Sequence, residues 1–130
     1  MNTSKTTQDV LQQEIFRERL AVLVRTGENL ADAWGKLEKI EREIEAKSTS
    51  WQRGDRRGGS AAADEGDKDR RMLISTLNEK IRAYNNQREC VRTCYYYLIV
   101  TREALGLIHH QRLEEMYRIP PKKHFLQEKE

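Results

Sequence analysis

Apolar side chains recur at Phe16, Leu20, Leu23, Leu30, Trp34, Leu37 and Ile44, and no proline interrupts the chain before Pro120. The four-three spacing draws one apolar stripe along a single helix. An unbroken backbone of that length allows such a helix to continue for many turns. In heptad terms Phe16, Leu23, Leu30, Leu37 and Ile44 form the a series, and Leu20, Gly27, Trp34 and Glu41 the d series. The pattern predicts a first helix over 8–48, preceded by a short extension at 1–7. Thr6 or Thr7 is placed to cap it, with Asp9 in the first turn where the helix dipole favours a carboxylate. Asp32–Lys36, Glu38–Arg42 and Glu43–Lys47 are acid-to-base pairs at i,i+4 and read as a solvated outer face.

Residues 49–66 break the periodicity. Gly54, Gly58, Gly59 and Gly66 lower helical propensity, and serine, alanine and mixed charge fill the remainder, as in a flexible connector. Single Arg53-Gly54-Asp55 and Arg57-Gly58-Gly59 triplets occur there, and single copies of such short strings carry no function.

A second helix is predicted over 67–119. It opens on the acidic cluster Asp64, Glu65, Asp67 and Asp69, and it stops at Ile119 because the residue before a proline avoids helical angles. Leu77, Ile81, Tyr84, Val91, Leu98 and Leu105 supply its apolar stripe. With residues 120–130 as a short tail, the fold class expected is all-α. The architecture is an elongated, coiled-coil-like antiparallel hairpin of two helices in a single domain, with a glycine-rich connector. Its seam is Phe16, Leu20, Leu23, Leu30, Trp34, Leu37 and Ile44 against the six residues just named. In the register implied by these boundaries, facing residue numbers add up to about 116.

One stretch does not fit a simple seam. From Cys94 to Val100 the sequence reads CYYYLIV in a chain of which 35% is charged. It is too short to cross a membrane and is bracketed by Arg92 and Arg102. Embedded in a helical period, it is a helix segment apolar on every face. A helix apolar all round is buried all round, and one partner helix cannot do that. Leu20-Ala21-Val22-Leu23-Val24 is a second such stretch, level with the first when the hairpin is closed. The expectation is an apolar belt that contacts another molecule through Val22, Val24, Tyr95, Tyr96, Tyr97 and Ile99. The same register leaves the end of the second helix overhanging, with Leu113, Met116 and Tyr117 as a further contact stripe.

Chemistry is sparse. Cys90 and Cys94 lie on one side of the helix and offer half of a zinc site; no second pair completes it. Their reading is as small apolar side chains. His109 and His110 point about 100° apart and do not converge on one ion. No nucleophile–base set, phosphate loop or carboxylate pair stands out, so neither an enzyme nor a cofactor is expected. Arg70, Arg71, Lys80, Arg82, Arg88, Arg92 and Arg102 punctuate the second helix, but acids interrupt them and no DNA-binding motif is present. The polar start, the two cysteines and the absence of a long apolar run point to an intracellular, cytoplasmic or cytoskeletal setting without membrane insertion.

These features together lead us to expect a non-enzymatic structural or adaptor subunit that docks into a larger protein assembly. The net charge of +3 makes an acidic filament such as tubulin, in the cytoskeleton or in a cilium or flagellum, the finer version of that expectation. Self-association into a homodimeric four-helix bundle is the alternative, with weak nucleic-acid binding behind it.

Overall fold

The computed structural model describes residues 6–57 and 63–127, with the side chains of 6–51 and 66–127. The fold is an all-α helical hairpin, and no strand occurs among the described residues. Helix α1 spans Thr7–Arg57, α2 spans Ala63–Ala104, and a short α3 spans Gln111–Met116.

Thr6 starts α1 by a reciprocal cap. The Asp9 amide donates to Thr6 Oγ1 at 3.3 Å, and the Thr6 amide donates to Asp9 Oδ2 at 3.4 Å. Two otherwise unpaired donors of the first turn are thereby satisfied. The helix then runs past Ser48, through much of the segment expected to be a connector, while Gly58 and Gly59 lie outside the described residues. Mixed polar sequence with good helix formers continues a helix already nucleated, since adding a residue costs far less than starting anew. The connector of 49–66 is corrected accordingly: 49–57 and 63–66 are helical.

The end of the second helix also differs from expectation. It stops at Ala104, fifteen residues before Ile119, because Gly106 takes the left-handed conformation with φ of 86°. The Leu107 amide donates to the Arg102 carbonyl at 2.9 Å, and the Gly106 amide donates to the Glu103 carbonyl at 2.9 Å. This is a Schellman ending, available to glycine because it has no Cβ to clash. The continuous helix and its overhang are therefore replaced by a turn and α3. His110 precedes α3, and Tyr117 closes it by donating its amide to the Leu113 carbonyl at 2.8 Å.

The chain divides into two compact units. Unit 1 comprises Met1–Asp32 and Arg92–Arg118; unit 2 comprises Ala33–Val91 and Ile119–Glu130. In unit 2 the heptad stripe is covered: Ala33, Leu37, Ile44, Leu77, Ile81, Tyr84 and Val91 are buried. Gln87 Nε2 donates to the Ala33 carbonyl at 2.9 Å and Lys80 pairs with Glu43 at 2.9 Å, so α1 and α2 run antiparallel there. The register is about one helical turn away from that expected, which follows from the longer helices. Trp34 is only partly covered, and its indole N–H donates to Glu38 Oε1 at 2.6 Å at the rim of the seam rather than at its centre.

Among the described residues of unit 1 only Leu30 and Leu98 are buried. Phe16 and Leu20, expected in the seam, are exposed, and Leu23 and Leu105 are half-covered. Past Gly106 the chain turns back along α2. Arg102 Nη2 donates to the His109 carbonyl at 3.0 Å, and Glu103 Oε1 lies 3.2 Å from His110 Nε2. Arg102 Nε donates to His110 Nδ1 at 3.3 Å, so the imidazole presents its N–H to Glu103. Glu114 of α3 lies near enough to Tyr95 to help raise the pKa of its phenol.

Candidate functional site

Two surfaces stand out, one on each unit. The first is apolar. Among the described residues sixteen large apolar side chains are exposed, and only Met72, Phe125 and Leu126 of these belong to unit 2. The other thirteen are in unit 1, which holds just two residues of the buried core. Tyr96 is 65% exposed, Val24 59% and Tyr97 58%. The two tyrosine rings sit with centroids 6.1 Å apart and planes tilted by 57°, a favourable aromatic geometry.

The residues expected at a contact surface thus divide. Val22, Val24, Tyr96, Tyr97 and Met116 are exposed. Tyr95, Ile99, Leu113 and Tyr117 are half-covered. Burial is the main reason the Tyr95 phenol is pushed above its ordinary value, with the Glu114 carboxylate adding to it. The reversal at Gly106 brings Glu114 near Tyr95, which a straight second helix does not do.

The second surface lies on α2 in unit 2 and holds the tail. Asn85 Nδ2 donates to the Lys123 carbonyl at 3.0 Å, while the Lys123 amide donates to Asn85 Oδ1 at 2.8 Å. Seven residues away, Asn78 repeats the arrangement: Nδ2 donates to the Leu126 carbonyl at 3.0 Å and the Leu126 amide donates to Oδ1 at 2.7 Å. Each carboxamide grips both backbone groups of one tail residue, as a neighbouring strand does in a sheet. Arg88 Nε adds a bond to the Pro120 carbonyl. The contacts fall on every third tail residue, 120, 123 and 126. A heptad of helix rises about 10.5 Å, and three extended residues cover about 10 Å, so the asparagine spacing and the tail spacing match.

Lys123 anchors the tail by its side chain as well. Its ammonium lies 3.0 Å from the Glu41 carboxylate and 4.8 Å from the centre of the Tyr84 ring. Burial pushes the Tyr84 phenol up, and the Glu41 carboxylate beside it acts in the same direction. Lys122 approaches Glu89 at 3.7 Å, and the Arg82 guanidinium lies 5.9 Å over the Phe125 ring.

This attachment is marginal. Five hydrogen bonds at about 1 kcal/mol each, two ion pairs at about 0.5 kcal/mol each and two cation–π contacts at about 1 kcal/mol each stabilise it. Ordering residues 120–126 costs about 1 kcal/mol per residue. The two totals are close to one another.

Lys80, Arg82, Arg88 and Arg102, four of the basic residues along α2, have partners within the chain. No disulfide joins Cys90 to Cys94, and among the described residues no group of three or more metal-ligating side chains converges. No helix among them is long and apolar enough to cross a membrane.

The sequence pattern pointed to the tyrosine run and missed the tail-holding face. A signal was present. Asparagine is a poor helix former that prefers caps and turns, so Asn78 and Asn85 at heptad spacing inside a long helix ask for a partner. No protein family, curated protein or solved structure matches this chain.

Proposed function

We propose that this chain is a non-enzymatic interaction subunit that docks through the apolar surface of unit 1 onto an apolar helical face of another protein. The observation that carries the reading is the partition of apolar side chains. The unit with the larger buried core exposes few of them, and the unit with the smaller core exposes most. An apolar surface of this kind marks an interface. Tyrosines suit its rim, with an apolar ring and a hydroxyl that stays hydrated or finds a partner.

Charge bears on which partner. Unit 1 contains eight basic and eight acidic residues, and unit 2 contains sixteen against thirteen. The whole net charge of +3 therefore lies on unit 2. An acidic filament, the cytoskeletal version of this function, engages basic surface, and the apolar unit has no basic excess to offer. Neutrality does favour a second reading, in which a second copy covers unit 1 and forms a four-helix bundle, because two neutral surfaces meet without repulsion. Nucleic acid ranks last, since much of the basic set on α2 is occupied within the chain.

The test is a double substitution, Val24→Lys with Tyr96→Lys. Both side chains are exposed, so helix content by circular dichroism stays as in the wild type. Stoichiometric co-purification of a heterologous protein is expected from wild type and is lost in the double variant. A wild-type dimer by light scattering that becomes a monomer in the variant selects the second reading. A wild-type chain that is monomeric and retrieves nothing, with the double variant unchanged, rejects both.

A further inference from the structure

The asparagine ladder on α2 holds the tail by its backbone groups. Asn78 and Asn85 bond backbone groups of Leu126 and Lys123, and Arg88 bonds the Pro120 carbonyl through Nε while its Nη1 donates to Glu89. Side-chain recognition centres on the Lys123 ammonium between Glu41 and the Tyr84 ring, with the looser contacts of Lys122 to Glu89 and of Phe125 to Arg82 beside it. The segment that fills the ladder is Pro120-Pro121-Lys122-Lys123-His124-Phe125-Leu126. Its prolines restrict the unbound chain to extended conformations, which lowers the ordering cost on docking.

We infer that this face of α2 is a receptor for extended peptide segments of the pattern Pro-x-x-Lys-x-x-apolar, and that the chain's own tail fills it until such a segment of a partner protein displaces it. Three features support the assignment. The ladder pairs backbone groups, which every peptide carries, so the specificity resides chiefly in the lysine. The two asparagine contacts fall three residues apart on the bound segment and one heptad apart on α2, about 10 Å along each. The tail gains little by staying, so a competitor that brings even modest contacts of its own shifts the population. The occupant is a partner segment rather than the tail of a second copy, because a second copy supplies the same sequence without the advantage of being tethered to this chain. The proposal is independent of the apolar surface on unit 1.

The experiment uses the full chain and a labelled peptide of residues 118–127, RIPPKKHFLQ. In the Lys123→Ala chain the tail loses its side-chain anchor while the receptor face is intact. Anisotropy is expected to report binding of the peptide about tenfold tighter to this variant than to wild type, as a weakened internal competitor allows. Adding Asn78→Ala and Asn85→Ala should abolish that binding, and a peptide with glutamate at the position of Lys123 should bind poorly to the Lys123→Ala chain. Should the triple variant lose helix, the wild-type chain still decides the matter. On titration with the peptide, the side-chain amide resonances of Asn78 and Asn85 shift, and the backbone amides of Lys123 and Leu126 move toward unstructured positions.

No binding to a helical Lys123→Ala chain overturns the proposal, and so does peptide binding that leaves the asparagine resonances unmoved. A wild-type dimer that forms with rising concentration and dissolves on adding peptide overturns the choice of occupant, giving the seat to a second copy's tail.

Discussion

Gly106 and Gly35 carry opposite consequences for the same substitution. Gly106 holds the left-handed angle that ends α2, and a Cβ there is strained. Gly35 lies within α1, exposed, with nothing within 4 Å of where a Cβ is added. We expect Gly106→Ala to destabilise the chain by about 1 kcal/mol and Gly35→Ala to stabilise it by about 0.5–1 kcal/mol. Urea midpoints measure both, and a Gly106→Ala chain as stable as wild type contradicts the Schellman ending. At the same scale, the Tyr84 and Tyr95 phenols are both raised by burial. Their neutral forms are favoured in the folded chain. The contribution to stability is complete below the unfolded value near 10 and declines as pH rises beyond it, where the unfolded state loses protons first. Phenolate absorbance should therefore show a late-titrating component, diminished by Tyr84→Phe and by Tyr95→Phe. Tyrosines that all ionise together would remove the buried assignments.

At the scale of elements, periodicity was informative about which face of each helix is apolar and silent about what covers it. Leu30, Leu37 and Ile44 are buried at heptad spacing, while Phe16, on the same stripe, is 56% exposed. The difference is one of neighbours, which a repeat in one helix does not encode. The long helices and the hairpin were legible for a related reason, since a chain without proline and with a sustained stripe has few other ways to bury it. The end of α2 was readable from Gly106 followed by the apolar Leu107, with Arg102 in the last turn. The attraction of Pro120 as a stop signal obscured it. The tail's seat lay beyond the pattern altogether, because contacts between Asn78 and Leu126 depend on a chain reversal that no local period announces.

At the scale of the whole molecule, apolar surface and charge are segregated: unit 1 is neutral and apolar, and unit 2 carries the basic excess and the tail-holding face. Association through unit 1 should then be nearly indifferent to ionic strength. Between about 0.05 and about 0.5 M sodium chloride, where screening becomes strong, retention of the unit 1 partner should hold or rise. A steep loss over that range would point to an electrostatic contact through unit 2 and displace the apolar reading.

The strap of residues 120–126 also makes the chain sensitive to digestion in an informative way. Lys122 and Lys123 form a dibasic site, the kind that trypsin-like proteases cut. Such enzymes must grip the backbone of an extended substrate and take the lysine into an acidic pocket. Asn85 and Glu41 already hold those groups of Lys123. Cleavage after Lys123 thus waits for the strap to lift, and its rate acts as a clock that counts the fraction of time the segment spends away from α2.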